Sequence, residues 1–290
     1  MIKKKHSVVK ISAMYLKKMD KHDTFGLTAE MSFYLLTALF PFFILLFVIA
    51  TQISDNMQNM LLNVITYLPR DKEEMITSML LNFKQSLPII ITSAVFGLWY
   101  MTSVISTITK ALNRFYEVKE TRGFWRMKGM CLLYSIFIIL LVIMSFALII
   151  FGEGTQFFLK YKNFIPFLSE DTVWNIARYI VVFLAIFVTI LIMFKNLPNK
   201  KLTSKAVAAG AALTTLAWCV ASYGFAFYVN SFGTYHVIYG SLTGIIVLIT
   251  WIYITSFVIL FGGSINAFWY RLSLAKRISR ARKASQEELM

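Results

Sequence analysis

The sequence predicts an all-α integral membrane protein, a bundle of six transmembrane helices with an amphipathic helical hairpin on its outer face. Three observations predict it. Six apolar stretches, at 31–53, 88–109, 131–151, 174–194, 206–229 and 241–269, each reach the ~20 residues that cross ~30 Å of hydrocarbon. The basic residues alternate between the segments that separate them. The N-terminal segment, the second junction, the fourth junction and the C-terminal tail carry seven, six, four and six Lys or Arg, so 23 of the 29 fall on one side and six on the other. Finally, the chain is 58% hydrophobic and only 15% charged, with a mean hydropathy of +0.67, too little charge to coat a water-soluble protein of 290 residues.

Short Lys/Arg-rich segments stay on the cytoplasmic side of a bilayer, so both termini are expected there, in a bacterial plasma membrane. Seven acidic residues lie on each side, which leaves net charges of +16 and −1. That asymmetry accounts for the sequence pI near 9.8 without a nucleic-acid partner. It implies attraction to anionic lipid headgroups at ~1 kcal/mol per basic residue near the surface. The chain reads as one membrane domain over 1–290: a cytoplasmic basic segment at 1–23, the six-span bundle at 24–269 and a cytoplasmic basic tail at 270–290. The first apolar run is too long for a cleaved signal and is expected to act as a signal-anchor.

Taken in order, Val8, Ile11, Tyr15 and Met19 repeat at helical spacing among lysines, which predicts an amphipathic helix on the inner leaflet. Asp23 and Thr24 form an N-cap pair for the first span. Pro41 sits near the middle of that span and removes a backbone hydrogen bond, so it marks a hinge or a structural kink. Between the first two spans, Met57, Met60, Leu61, Val64, Ile65 and Leu68, then Met75, Ile76, Met79, Leu80 and Phe83, repeat at three-four spacing around Pro69. Asp71 and Glu74 make a capping box for the second set. This is the outer hairpin, a lid or simple packing.

Span two carries Thr102, Ser106, Thr109 and Asn113 at four-three-four spacing, one stripe on a helix. Small hydroxyl residues allow close helix approach, and this packing reading outweighs a wetted path. Ala206, Gly210 and Thr214 in span five and Gly240-Ser241, Gly244 and Gly262-Gly263-Ser264 in span six are further small-residue surfaces. Trp125, Trp174, Tyr235, Tyr239, Trp269 and Tyr270 suit an aromatic belt. The tail beyond Trp269 is basic and then acidic, and is expected to be a helix on the inner surface that frays. Cys131 and Cys219 lie in apolar segments and read as reduced packing residues.

No catalytic constellation, metal site or cofactor motif is visible. His6, His22 and His236 are scattered, no Cys/His set has metal spacing, and no Gly-rich phosphate loop is present. Asp20, His22 and Asp23 cluster at a helix start among lysines, where capping explains them. The apolar cores of spans two, three, five and six hold no ionisable residue, so a proton-coupled carrier is not demanded.

Several segments resemble the YihY/BrkB family of bacterial inner-membrane proteins. They are Ala29–Pro41 with its Leu-Phe-Pro ending, Ala111–Val118 with Arg122–Arg126, Leu197-Pro198-Asn199, Tyr239-Gly240-Ser241, and Trp251-Ile252-Tyr253. The chain departs from the family at Gly123, often Pro, and at Gly262-Gly263-Ser264, often Gly-Ala-Glu. The resemblance implies a six-span plasma-membrane protein; some members carried the name ribonuclease BN, for which this chain shows no nuclease site.

The leading expectation is transport or lipid handling. A non-transporting scaffold that binds a partner through the basic inner face is the competing class, and a membrane-bound ribonuclease the third. Glu30, Tyr34 and Pro41, with Thr102 and Ser106, are candidates to line or gate a cavity. Tyr239 and Ser241 are candidates to shape its outer mouth. Asn113, Arg122 and Arg126 are candidates to contact lipid phosphate or a partner at the inner face, since Arg suits bidentate phosphate contact. Packing or topology is the alternative role for each, and self-association or an unknown protein partner is left open.

Overall fold

The computed structural model describes residues 19–53, 87–150, 171–231 and 242–287. The amphipathic segment 2–18, most of the proposed hairpin at 54–87, Tyr239 and Ser241 lie outside them. Six helices account for nearly all of the described chain: α1 Thr24–Ile53, α2 Leu87–Tyr116, α3 Phe124–Ile150, α4 Asp171–Asn196, α5 Ser204–Ser231 and α6 Thr243–Glu287. No strand occurs among the described residues. Five of the helices contain spans long and apolar enough to cross a membrane, Thr24–Leu45, Leu87–Tyr116, Phe124–Val142, Ser204–Val229 and Thr243–Ala275, and α4 adds a shorter apolar stretch, Ile180–Asn196. The protein is an all-α integral membrane protein.

The helices overrun the apolar stretches, chiefly where the basic residues gather. α1 begins seven residues before the expected 31, and α2 runs on to Tyr116. Asp23 caps α1: its carbonyl accepts the Leu27 N–H at 3.0 Å, and its carboxylate lies over Gly26, where a β-carbon would fall 2.3 Å from Oδ1. Asp23 holds φ at 54°, a left-handed conformation that Asp tolerates better than most residues. Thr24, expected to share the cap, is buried and instead donates its hydroxyl to the Met19 carbonyl at 3.0 Å.

α1 stays helical through Pro41, which is buried and faces Gly97 of α2 at 3.7 Å from the position of a β-carbon there. The tail beyond Trp269 is helical, as expected, and continuous with the last span: α6 runs unbroken for 45 residues to Glu287. After Gly263 the chain has no Gly or Pro before that point, so nothing in it interrupts the helix.

α1 packs most extensively on α2, α5 on α6 and α4 on α5; α6 also meets α1 and α2, and α3 lies chiefly on α2. The buried core is concentrated near the basic ends of the helices. It includes Leu27 and Met31 of α1, Ile105, Ile108, Leu112 and Phe115 of α2, Phe194 of α4, Val207 and Ala211 of α5, and Leu260 of α6. In lipid no hydrophobic force drives helices together, so close packing and small residues must do so. The α5/α6 contact shows how. Asn266 of α6 fills the space over Gly210 of α5, and Thr214 of α5 fills the space over Gly262 of α6. The two helices thus exchange a side chain for a notch, one turn apart on each.

Hydroxyls inside the spans mostly bond their own helix. Thr102 donates to the Leu98 carbonyl at 2.6 Å, Thr109 to Ile105 at 2.8 Å and Thr214 to Gly210 at 2.7 Å. This i−4 bonding satisfies each hydroxyl without water. Cys131 is buried, with its sulfur 3.9 Å from Thr109 Oγ1, and Cys219 is free of any disulfide.

Candidate functional site

Three features are built around α2: a polar lock at its basic end, a pair of salt bridges to α1, and an apolar cavity further along the same α1/α2 seam.

The lock starts where α2 stops. Glu117 takes φ 55° and turns the chain, with the Val118 N–H closing on the Asn113 carbonyl at 3.0 Å. This is the left-handed C-terminal bonding that ends many helices, with Glu in the place Gly usually holds. The turn delivers Glu120 to Arg122, whose Nε meets Oε1 at 2.7 Å and whose Nη2 meets Oε2 at 2.6 Å. Nη2 also donates to the Leu197 carbonyl at 2.8 Å, at the end of α4. Asn113 donates to Glu120 Oε2 at 2.8 Å and accepts the Asn199 N–H at 2.7 Å. The Asn199 amide in turn donates to the Lys119 carbonyl and Thr121 Oγ1 at 2.9 and 2.8 Å. Five of these hydrogen bonds hold the α2–α3 loop to the α4–α5 loop or to the end of α2, and that from the Asn199 N–H to Asn113 closes the set.

The Arg122 guanidinium, followed by its backbone N–H and Asn113, holds the Glu120 carboxyl down from 4.5 to about 2, against partial burial that would raise it. The same pairing raises Arg122 above its ordinary range. A depressed carboxyl contributes stability that is complete above its unfolded value and falls away as pH drops toward the folded one. The melting gap between the native chain and Glu120→Gln in detergent is therefore expected to be constant from about pH 8 to about pH 5 and to narrow below about pH 4. A gap that widened on acidification would refute the pairing.

Beside the lock, Arg271 of α6 pairs with Glu117, and His22 Nε2 lies 3.8 Å from the same carboxylate. Asn266 donates to the buried Tyr116 hydroxyl at 2.9 Å. The Lys200 ammonium sits 4.5 Å from the Tyr270 ring centroid and 5.8 Å from that of Tyr116, the range of a cation–π contact.

On the α1/α2 seam, Lys110 donates to both oxygens of Glu30 at 2.8 and 3.1 Å, and Thr107 donates to Oε1 at 3.0 Å. One turn nearer the helix ends, Arg114 meets Asp23 at 3.3 Å. Further along, a cavity of about 340 Å³ opens between α1, α2 and α3, with Leu35, Ala38, Phe42, Gly97, Met101 and Ile139 among a wholly apolar lining.

Of the residues singled out in the sequence, Asn113 and Arg122 are brought together through Glu120. Arg126 is exposed and stands apart from the lock. Glu30 is on the seam; Tyr34, half-buried, packs against the core one turn further on. Pro41 faces Gly97 beside the cavity, Thr102 is bonded within its own helix, and Ser106 is half-buried on α2. Sequence reasoning missed Glu120, Asn199 and Lys110. The only signal for Glu120 was its place two residues before Arg122.

Comparison with known proteins fits this basic-ended bundle. A family model described as Virulence factor BrkB matches residues 15–287. The chain belongs to the BrkB family. Within that family it is 28% identical over 257 residues to the "Putative ribonuclease-like protein YfkH" of Bacillus subtilis, covering 86% of this chain and 91% of YfkH. A UPF0761 membrane protein of Pseudoalteromonas atlantica is 27% identical over 56% of this chain and 52% of its own length. One of Tolumonas auensis is 40% identical over 27% of this chain and 26% of its own. The match thus spans about half or less of these two UPF0761 relatives. No solved structure matches the chain. This BrkB-family chain is a multi-pass membrane protein. Among its described residues no group of three His, Cys, Asp or Glu is placed to hold a metal ion.

Proposed function

We propose that this BrkB-family protein binds and handles a lipid or similar amphiphile in the bacterial plasma membrane, with both termini in the cytoplasm and the basic helix ends against anionic headgroups. The observation that carries this reading is the apolar cavity between α1, α2 and α3. Its volume of about 340 Å³ is at the lower end of the ~300–1,000 Å³ of small-molecule sites. A polar solute placed there would lose its hydrogen bonds to water at ~2–7 kcal/mol per group, whereas an acyl chain would lose nothing. The hydroxyls of Thr102 and Thr109 support the same choice, since each donates to its own helix rather than into a wetted path. On this reading Asn113 and Arg122 set the loop geometry, because the neighbouring loops already engage their polar groups. Contact with phosphate then falls to exposed cations such as Arg126. The ribonuclease-like reading rests on the YfkH name alone.

Gly97 provides the test. A β-carbon there meets Pro41 at 3.7 Å, ordinary contact, so Gly97→Ala is expected to behave as the native chain. Gly97→Leu fills the cavity. In proteoliposomes the native protein is expected to carry co-purifying lipid and to speed movement of a fluorescent phospholipid between leaflets. Gly97→Leu is expected to lose most of both, about tenfold, for the loss of one buried chain contact. Native protein that retains no lipid and moves none would end the proposal.

A further inference from the structure

The α1/α2 seam has one charged end and one apolar end, and their separation is within the thickness of one leaflet. Leu35 follows Glu30 by five residues on α1, and Met101 precedes Lys110 by nine on α2. At 1.5 Å per residue these are roughly 8 and 14 Å. One leaflet of hydrocarbon is about 15 Å, half of the ~30 Å core. An acyl chain whose headgroup sits at Glu30 and Lys110 therefore reaches the cavity.

The charges at that end are balanced. Lys110 and Arg114, one turn apart, stand on α2; Glu30 stands on α1 and Asp23 caps it. All four are partly open, with 34–64% of each side chain exposed. Their bonding capacity is also incomplete. An ammonium has three donors, and Lys110 uses two on Glu30. Arg114 has five and uses one on Asp23. A carboxylate has about four acceptor sites, and Glu30 has three filled. Among the described residues the seam thus keeps spare donors on α2 for a phosphate and spare acceptors on Glu30 and Asp23 for an amine.

We propose that this seam is a binding site for a zwitterionic, amine-bearing glycerophospholipid: its phosphate on Lys110 and Arg114, its ammonium on Glu30 and Asp23, and one acyl chain in the cavity. Two cations and two carboxylates sum to zero, which matches a zwitterion. An anionic headgroup would gain the cations but be opposed by the carboxylates beside them. The proposal rests on the lipid-handling reading and names the lipid class.

The experiment is native mass spectrometry of the full chain released from nanodiscs of equal phosphatidylethanolamine and phosphatidylglycerol with matched acyl chains. The native protein is expected to retain the amine lipid about tenfold over the anionic one, the ratio that one extra charge-assisted contact yields. Glu30→Gln is expected to bring the ratio to about one while lipid remains bound. Lys110→Gln is expected to lower both adducts together; Arg114→Gln, at a more exposed pair, reads the same loss should Lys110→Gln not fold. Equal retention of the two lipids by the native chain, a preference for the anionic one, or an unchanged ratio in Glu30→Gln would each overturn the headgroup site. Adducts without headgroup preference that vanish in Gly97→Leu would leave lipid handling standing and remove this site alone; no adducts at all would remove both.

Discussion

Gly262→Val is expected to be among the most destabilising single changes in the bundle, lowering stability by about 3 kcal/mol or more, at the upper end of overpacking effects. A β-carbon at Gly262 would fall 1.8 Å from Thr214 Oγ1 and 2.8 Å from Thr214 Cβ. Thr214 cannot swing clear. It is β-branched, fully buried, and tied by its hydroxyl to the Gly210 carbonyl. The helices must separate, and the reciprocal contact of Asn266 over Gly210 parts with them. Thermal unfolding in detergent measures the effect. Gly224→Ala is the control, since nothing lies within 4 Å of a β-carbon there; it is expected to be neutral or to gain up to about 1 kcal/mol of helix propensity. Thr214→Ala is expected to recover part of the loss from Gly262→Ala, giving a non-zero coupling in a double-mutant cycle. A Gly262→Val protein that melted with the native one would show that α5 and α6 do not meet at this notch.

Arg122→Ala is expected to be the second-largest effect, about 2 kcal/mol. Removing one partner of a buried pair costs ~3–5 kcal/mol, and the figure is lower here because the Glu120 side chain is 27% exposed and Arg122 14% exposed. The loss has three parts: both oxygens of Glu120, the Leu197 carbonyl, and the register of Asn113 against Asn199. Hydrogen exchange reads it locally, as faster exchange in both 117–123 and 197–203. Arg122→Lys is not expected to rescue, because a single ammonium cannot span the carboxylate and reach Leu197 at once. Faster exchange in only the first loop would mean that the two loops are not joined through this side chain.

The six-helix fold was legible because the bilayer imposes a length and the cytoplasm a charge bias, and both are written along the chain without reference to contacts. Gly210 and Gly262 were also visible, as small residues at helical spacing. Which helix each would meet was not, because periodicity marks a face and not a partner. The same limit hid the pairing of Glu30 with Lys110, 80 positions apart, and of Asn113 with Asn199. Arg122 looked available because a sequence shows charge but not its neutraliser; only the left-handed turn at Glu117 brings Glu120 back under it. The hydroxyl stripe of α2 was visible as a pattern. Whether its oxygens reach outward or fold onto the preceding turn is a rotamer choice that spacing leaves undetermined. The tail was legible as a helix but not as part of the last span's rod, because a change from apolar to basic looks like a boundary. Backbone continuity depends instead on helix breakers, and none lies between Gly263 and Glu287.

That continuity has a mechanical consequence. At 1.5 Å per residue α6 is about 68 Å long, more than twice the ~30 Å of hydrocarbon. Its last twelve residues, Lys276–Glu287, form a stiff arm of roughly 18 Å beyond the apolar span. Because arm and span are one rod, any roll or tilt of α6 where it grips α5 is relayed to those five cationic positions without a joint to absorb it. Events within the bilayer and the reach of charge outside it are geared together.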